Sequence, residues 1–256
     1  MPKLPTLSSW TVVSLRPQGQ HASIRYVVNQ TKSRFCGLSV TKLVAEHNQK
    51  ELARALASAI RIMSSPSAVH FTQLSVNLTG DWFAIGQNTA KKLLAAGAST
   101  VKNPEIQNAD GLLALPELQN IAGTHIGLVT APNGRGLLEQ TLKDRGAQLN
   151  IAHVYRREKI TLKSKQLSAI DSFSEHTAIF VTSSDAFEAL WQQLNARRQA
   201  IITSSLCVAS SARLVEYLKS LGIRRVLCSH STLPRDQIRT LAKAVLPYES
   251  VGAKDE

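Results

Sequence analysis

The sequence contains no apolar run long enough to cross a bilayer as a helix, so no membrane-spanning segment is expected. Its opening, MPKLPTLSSW, lacks the apolar core of a secretory signal. Cysteine is scarce. Cys36, Cys207 and Cys228 are odd in number and make no CxxC, which argues for a reduced, cytoplasmic protein and against a disulfide scaffold. The seven histidines show no HxH or HxxxH spacing and join no Cys/His cluster, so no metal is expected. GxSxG is missing, which removes support for a nucleophile elbow. The Walker A pattern is missing too, which disfavours a P-loop nucleotidase. No Gly/Ser-rich linker separates one part of the chain from another.

What is present is enough apolar material for a folded protein. The 256 residues are 43% hydrophobic and 19% charged, a globular composition with room for two domains. The formal net charge is +12, and it is unevenly placed. Residues 45–150 carry 9 Lys+Arg against 8 Asp+Glu, while the remainder carries 21 against 10. A basic surface of this kind is most often simply solvated. Its functional reading is attraction of nucleic acid, an acidic surface or a polyanionic small molecule.

The chain is organised around residues 123–157. Ile126–Thr130 is an apolar run that suits a buried strand. Pro132, Asn133, Gly134 and Gly136 make a turn whose amides are able to point outward. Leu137, Leu138, Thr141 and Leu142 give a helical face, and Gly146 stands where a helix ends. Ala147–Val154 is a second strand, followed by Tyr155, Arg156 and Arg157. Glycine turn, helix start and basic strand end together suit an anion. Gly134–Glu139 also resembles a shortened dinucleotide fingerprint with Glu139 in place of the third glycine. Tyr155–Arg157 stands where a ribose-binding acid belongs, so a reductase using a phosphorylated dinucleotide stays open at this point.

Elsewhere the pattern alternates. Strands are expected at Trp10–Leu15, near Phe35–Val40, at Ala68–Thr72, Trp82–Ile85, Thr177–Val181, Leu206–Ala209 and Arg224–Cys228. Helices are expected near 20–31, over Glu46–Met63, after Gly86, over Asp110–Leu118 with a break at Pro116, after Ser183 or Ser184, after Ser211 and from Pro234. Alternation of this kind argues α/β architecture, with parallel sheets covered by helices on both faces. NTAKKLLAAG and SSARLVEYLKSLG share one layout, which suggests two similar lobes. The charge division suggests that both chain ends form one lobe and the middle the other. Loops GQNTA (86–90), Thr182–Ser184 and Ser210–Ser211 all follow parallel strands. Each reads as a helix cap on spacing alone, but ligands of open α/β sheets bind beyond the carboxyl ends of strands.

Taken in order, these stretches resemble the uroporphyrinogen-III synthase family from about Val12 to Val245. The resemblance is carried by Leu15-Arg16-Pro17 with Gln20, Phe71-Thr72, FAIGQNTAKKLLAAGA and DGLLALPEL. GLVTAPNGRGLLEQTLKDRGAQLNIAHVYRR, FVTSSDAFEAL and VASSARLVEYLKSLG complete it. Gln73 and Leu74 depart from the family's usual serine followed by Asn-Ala-Val, and SSAR stands where many members have a Gly-Thr loop.

The resemblance implies two Rossmann- or flavodoxin-like lobes: 1–38 with 157–256, and 45–150. Segments 39–44 and 151–156 would form a two-stranded connection. It implies cyclisation of the linear tetrapyrrole hydroxymethylbilane to uroporphyrinogen III in haem biosynthesis, with loss of water, inversion of ring D, and no cofactor or metal. Tyr155 is the implied proton donor, at a strand end expected to face the cleft. Arg16, Thr72, Gly86, Thr89, Gly134, Arg135, Thr182, Ser183, Ser211 and Arg213 are the implied substrate-binding residues. A cytoplasmic monomer with no nucleic-acid or membrane partner is expected. Rival readings are a non-catalytic two-lobed binder of a small polyanion, and a nucleic-acid-binding protein suggested by charge alone, although no helix-turn-helix or aromatic-rich basic strand accompanies that charge.

Overall fold

A computed structural model of the chain describes residues 4–46, 48–132 and 136–246. The chain divides into two compact units, one of Met1–Lys42 with Glu158–Glu256 and one of Leu43–Arg157, called here the terminal and middle units. The terminal unit begins with β1 (Thr11–Ser14), α1 (Ala22–Gln30) and β2 (Arg34–Gly37), and β3 (Thr41–Ala45) leads out of it. The middle unit runs α2 (Gln49–Leu56), β4 (Ile60–Met63), α3 (Pro66–Gln73), β5 (Asp81–Ala84), α4 (Gln87–Ala95), β6 (Thr100–Lys102) and α5 (Ala109–Leu113). A 3-10 turn at Pro116–Leu118, then β7 (His125–Thr130), α6 (Leu137–Asp144) and β8 (Gln148–His153) complete it. The return passes through β9 (Tyr155–Lys159) to α7 (Ser164–Asp171), β10 (Thr177–Val181), α8 (Ser184–Trp191), α9 (Ala196–Ser204), β11 (Leu206–Ala209), α10 (Ala212–Ser220), β12 (Arg225–Cys228) and α11 (Pro234–Val245).

Both sheets are parallel. The terminal order is β12-β11-β10-β1-β2 and the middle order is β6-β5-β4-β7-β8. Numbered from β10 and from β4 respectively, each sheet reads third-second-first-fourth-fifth. The terminal unit is therefore the middle unit's plan with its last two strands made first and the middle segment inserted after them. Both faces of each sheet are covered, so the central strands carry uninterrupted apolar runs. In TAIFV of β10 and LCVA of β11 every residue is buried. One terminal face packs Val13, Ile179, Val181 and Cys207 against Phe187, Leu190 and Leu214, and the other packs Val12, Phe180 and Val208 against Ile24, Val28 and Leu241. In the middle unit α2 lies so close to β7 that a Cβ at Gly127 would run into the Ala55 carbonyl.

The single helix expected over Glu46–Met63 is instead α2, a turn at Ala57–Ala59, and β4. Its apolar stripe does serve α2 through Leu52, but Ile60–Met63 pairs with β7 and β5. The strand expected at Ala68–Thr72 is the middle of helix α3. Ser65 caps that helix, its hydroxyl accepting from Ala68 N at 3.1 Å, and Pro66 sits in the first turn, where its missing N–H costs nothing. The two-stranded connection consists of β3 and β9 paired with each other. Residues 151–153, expected in that connection, extend β8, because its pairing with β7 continues to Thr130↔His153.

Candidate functional site

In an open parallel sheet the ligand crevice lies beyond the carboxyl ends of the strands, where the strand order reverses. In the middle unit the reversal falls between β4 and β7. The loop after β4 carries Ser64 and Ser65, and Ser64 Oγ donates to Thr130 Oγ1, at the end of β7, over 2.9 Å. Tyr155 is 5% exposed, its ring stacked on Phe71 with centroids 5.3 Å apart. That stack fixes the ring and leaves its polar end at the loop, where the Tyr155 hydroxyl lies 3.2 Å from Ser65 Oγ. Beside β4, β5 ends at Ala84 and the chain passes through Ile85 to Gly86, the residue before α4. This helix has no side-chain cap from its own N-cap residue, although Gln107 Oε1 accepts from Gln87 N at 3.2 Å. Thr89 is buried in the first turn of α4, and its hydroxyl makes no hydrogen bond among the described residues. The loop GQNTA, which reads as a cap on spacing, thus gives α4 no side-chain cap from its N-cap residue, Gly86.

The terminal unit repeats this plan. Its reversal falls between β10 and β1. After β10, half-buried Thr182 precedes Ser183, whose hydroxyl accepts from Ala186 N at 3.3 Å and caps α8, as Ser65 caps α3. After β11, Ser211 opens α10 without a side-chain cap, and exposed Arg213 follows in the first turn. After β1, Arg16 reaches across to the loop before α11 and donates from Nη2 to the Thr232 carbonyl at 2.8 Å. Burial pushes the Arg16 guanidinium down from its ordinary range.

The structure therefore gathers Gly86, Thr89 and Tyr155 at the carboxyl edge of one sheet, and Arg16, Thr182, Ser183, Ser211 and Arg213 at that of the other. Thr72 does not belong with them. It lies inside α3, fully buried, and its hydroxyl donates to the Ala68 carbonyl at 2.8 Å. Gly134 and Arg135, with the centre of the glycine turn, fall outside the described residues. Ser64 and Ser65 were missed from sequence. The signal was Ser-Ser-Pro after Ile60-Arg61-Ile62-Met63, which marks a strand end and a helix start. The apparent departure at Gln73 and Leu74 comes from the same misplacement. The chain leaving β4 reads Met63-Ser64-Ser65-Pro66-Ser67-Ala68-Val69, with two serines in the loop and Ala-Val in the first turns of α3.

An open cavity of about 490 Å³ lies elsewhere, on the flank of the middle unit between α5 and α6, and is lined by Asp110, Leu113, Thr141 and Arg145. Arg145 is already engaged there, its Nη1 donating to the Leu113 and Leu118 carbonyls. Among the described residues no group of three or more His, Cys, Asp or Glu side chains is placed to hold a metal, and no helix is long and apolar enough to cross a membrane.

The family model described as uroporphyrinogen-III synthase HemD matches residues 37–235. The chain belongs to the uroporphyrinogen-III synthase family. It is similar to the Escherichia coli K12 uroporphyrinogen-III synthase, 32% identical over 145 residues that cover 56% of this chain and 58% of that one. The Salmonella typhimurium enzyme is 31% identical over 148 residues, covering 55% and 58%. The matched region thus spans little more than half the length of these relatives. Among solved structures, uroporphyrinogen-III synthetase from Helicobacter pylori 26695 shares the fold with a TM-score of 0.63 at 14% identity, covering 92% of this chain and 99% of that one. A mutant uroporphyrinogen III synthase from the extremely thermophilic bacterium Thermus thermophilus gives a TM-score of 0.55 at 13% identity, covering 92% and 98%. These likenesses agree with the α/β architecture of two parallel-sheet units. Family membership favours neither the non-catalytic binder nor the nucleic-acid-binding protein.

Proposed function

We propose that this chain cyclises hydroxymethylbilane to uroporphyrinogen III, releasing water and inverting ring D, as a cyclising lyase that works as a monomer without cofactor or metal. The observation that supports this most is the doubled carboxyl edge: each parallel sheet presents a hydroxyl- and amide-rich edge, and in each the second crossover helix, α4 or α10, has an N-cap residue that provides no side-chain cap. A substrate with eight carboxylates needs many hydrogen-bond donors, and first-turn amides together with Arg16 and Arg213 are of that kind.

The chemistry asks little of the protein. The hydroxymethyl group leaves readily as water and gives an electrophilic azafulvene. Attack through the substituted carbon of ring D forms a spiro intermediate, which fragments and recombines with the ring inverted. Holding the chain in the conformation that permits this attack is the main task. Tyr155, fixed by Phe71 and poised beside Ser65, donates a hydrogen bond or proton to the departing hydroxyl. Thr89, with its hydroxyl uncommitted, binds a substrate carboxylate.

The test is incubation with hydroxymethylbilane generated in place by a coupled enzyme, followed by separation of the product isomers. Uroporphyrinogen III is the expected product. Formation of only the non-inverted isomer, at the rate of the uncatalysed closure, would overturn the reading.

A further inference from the structure

The two units differ where the chain passes from the fourth strand into its helix. The middle unit has Gly136 there, with a left-handed φ of +68°, and the terminal unit has His21. His21 does not cap α1 with its side chain. Its ring is instead held on both nitrogens by buried serines: Nδ1 lies 3.1 Å from Ser14 Oγ at the end of β1, and Nε2 lies 2.7 Å from Ser39 Oγ in the loop after β2. Phe35 packs edge-on against the ring at 5.7 Å between centroids. Ser14 Oγ also receives the Arg16 amide at 3.4 Å, so the histidine and the arginine share one anchor.

The charges around this ring are of one sign. Burial, then Arg25 and then Arg16 hold its titration below the ordinary histidine range. Arg25 lies over the Phe35 ring at 5.0 Å. On α11, which packs against α1, Arg235 is bound to Gln30, and Asp236 is taken by Ser231 and Arg239. No Asp or Glu occurs before Glu46. The spot is thus cationic, has no carboxylate among the groups acting on the ring, and disfavours the protonated imidazole.

We propose that Ser14, His21 and Ser39 form a proton-accepting relay that takes up one proton when a carboxylate docks beside Arg16. Neutral imidazole has one N–H, so one serine hydroxyl must donate to the other ring nitrogen. When His21 is protonated, both nitrogens become donors and that serine keeps its O–H, which no longer has the ring nitrogen as acceptor. For Ser39, the freed O–H turns outward to the carboxylate while Nε2–H holds its oxygen. The proton comes from solvent and no covalent bond between heavy atoms changes. The ligand class is a carboxylate-bearing anion, which rests on the function proposed above only for its identity as a tetrapyrrole.

A carboxylate favours the protonated ring, so its binding raises the His21 titration point. Affinity is then greatest at low pH. It falls as pH rises between the ligand-free and ligand-bound titration points, by up to about tenfold per pH unit for one linked proton. The experiment follows the histidine Cε1–H resonances of the whole chain against pH with and without citrate, with His21 assigned from His21→Gln. The relay predicts an upward movement of the His21 titration with citrate that Ser39→Ala abolishes. An unmoved titration, or an equal movement in Ser39→Ala, overturns it. In parallel, KM for hydroxymethylbilane should rise with pH in the wild type and be flat in His21→Gln, whose amide bridges the serines but takes no proton. The same slope in both proteins overturns the relay. A citrate-dependent shift in a chain that does not turn over hydroxymethylbilane keeps the relay and removes the tetrapyrrole reading.

Discussion

The terminal and middle units share one strand order and one capping pattern, yet differ in charge. Residues 1–42 and 158–256 hold 19 Lys+Arg and 10 Asp+Glu, against 11 and 8 in residues 43–157. In each unit the first crossover helix, α3 or α8, is capped by a serine, and the second, α4 or α10, lacks a side-chain cap from its N-cap residue. The repeated caps secure the fold, because an N-cap oxygen satisfies an amide that would otherwise lack a partner. We propose that the repeated openings leave first-turn amides at the carboxyl edge for a ligand, although in α4 Gln107 already takes the Gln87 amide. What distinguishes the units is added on that common frame. The middle unit supplies a rigidly stacked phenol, and the terminal unit supplies cations and a histidine held by two serines.

The largest expected effect comes from taking away the middle unit's distinguishing group. Tyr155→Phe keeps the stack on Phe71 and removes only the hydroxyl. Steady-state kinetics should show kcat reduced by roughly 10²–10⁴-fold, the range of general-acid catalysis, with little change in melting temperature. Turnover at the wild-type rate would leave Tyr155 as a packing residue. Next in size is Gly127→Ala, which forces a methyl group onto the Ala55 carbonyl. It should destabilise the middle unit by roughly 3 kcal/mol, as overpacking of a tight core does. Calorimetry showing no loss would mean that α2 is not seated on β7 as described. The smallest effect concerns the charge difference. KM for hydroxymethylbilane should rise a few-fold with ionic strength, since exposed attractions are screened over about 8–10 Å near physiological salt. A KM indifferent to salt would assign capture to local hydrogen bonds alone.

Much of this plan was legible in the sequence where a strand or helix was bounded by its own chemistry. Thr177–Val181 and Leu206–Ala209 are closed by hydroxyl residues, Thr182-Ser183-Ser184 and Ser210-Ser211, and the observed strands have those limits. The passage from α2 to β4 was not legible. Ala57-Ser58-Ala59 has no glycine or proline to interrupt a helical period, and the turn is made locally, with Ser58 Oγ donating to the Arg54 carbonyl at 3.1 Å. That one misplacement carried the next strand into α3, put Thr72 in the site and hid Ser64 and Ser65. Tertiary partners were equally hidden. Nothing in the local sequence tells that Phe71 stacks on Tyr155, or that Ser14 and Ser39 bracket His21, because each pairing joins residues set together only by the sheet order.

The central claim is that the serine-capped starts of α3 and α8 serve the fold and the uncapped starts of α4 and α10 serve the ligand. It is tested most directly by Ser183→Ala and Thr89→Ala, measured side by side for melting and for hydroxymethylbilane kinetics. Ser183→Ala should cost about 1 kcal/mol of stability and leave KM unchanged. Thr89→Ala should leave the melting temperature unchanged and raise KM by roughly three- to tenfold, the worth of one hydrogen bond. A Thr89→Ala protein that melts lower and binds substrate as tightly as the wild type would contradict the account.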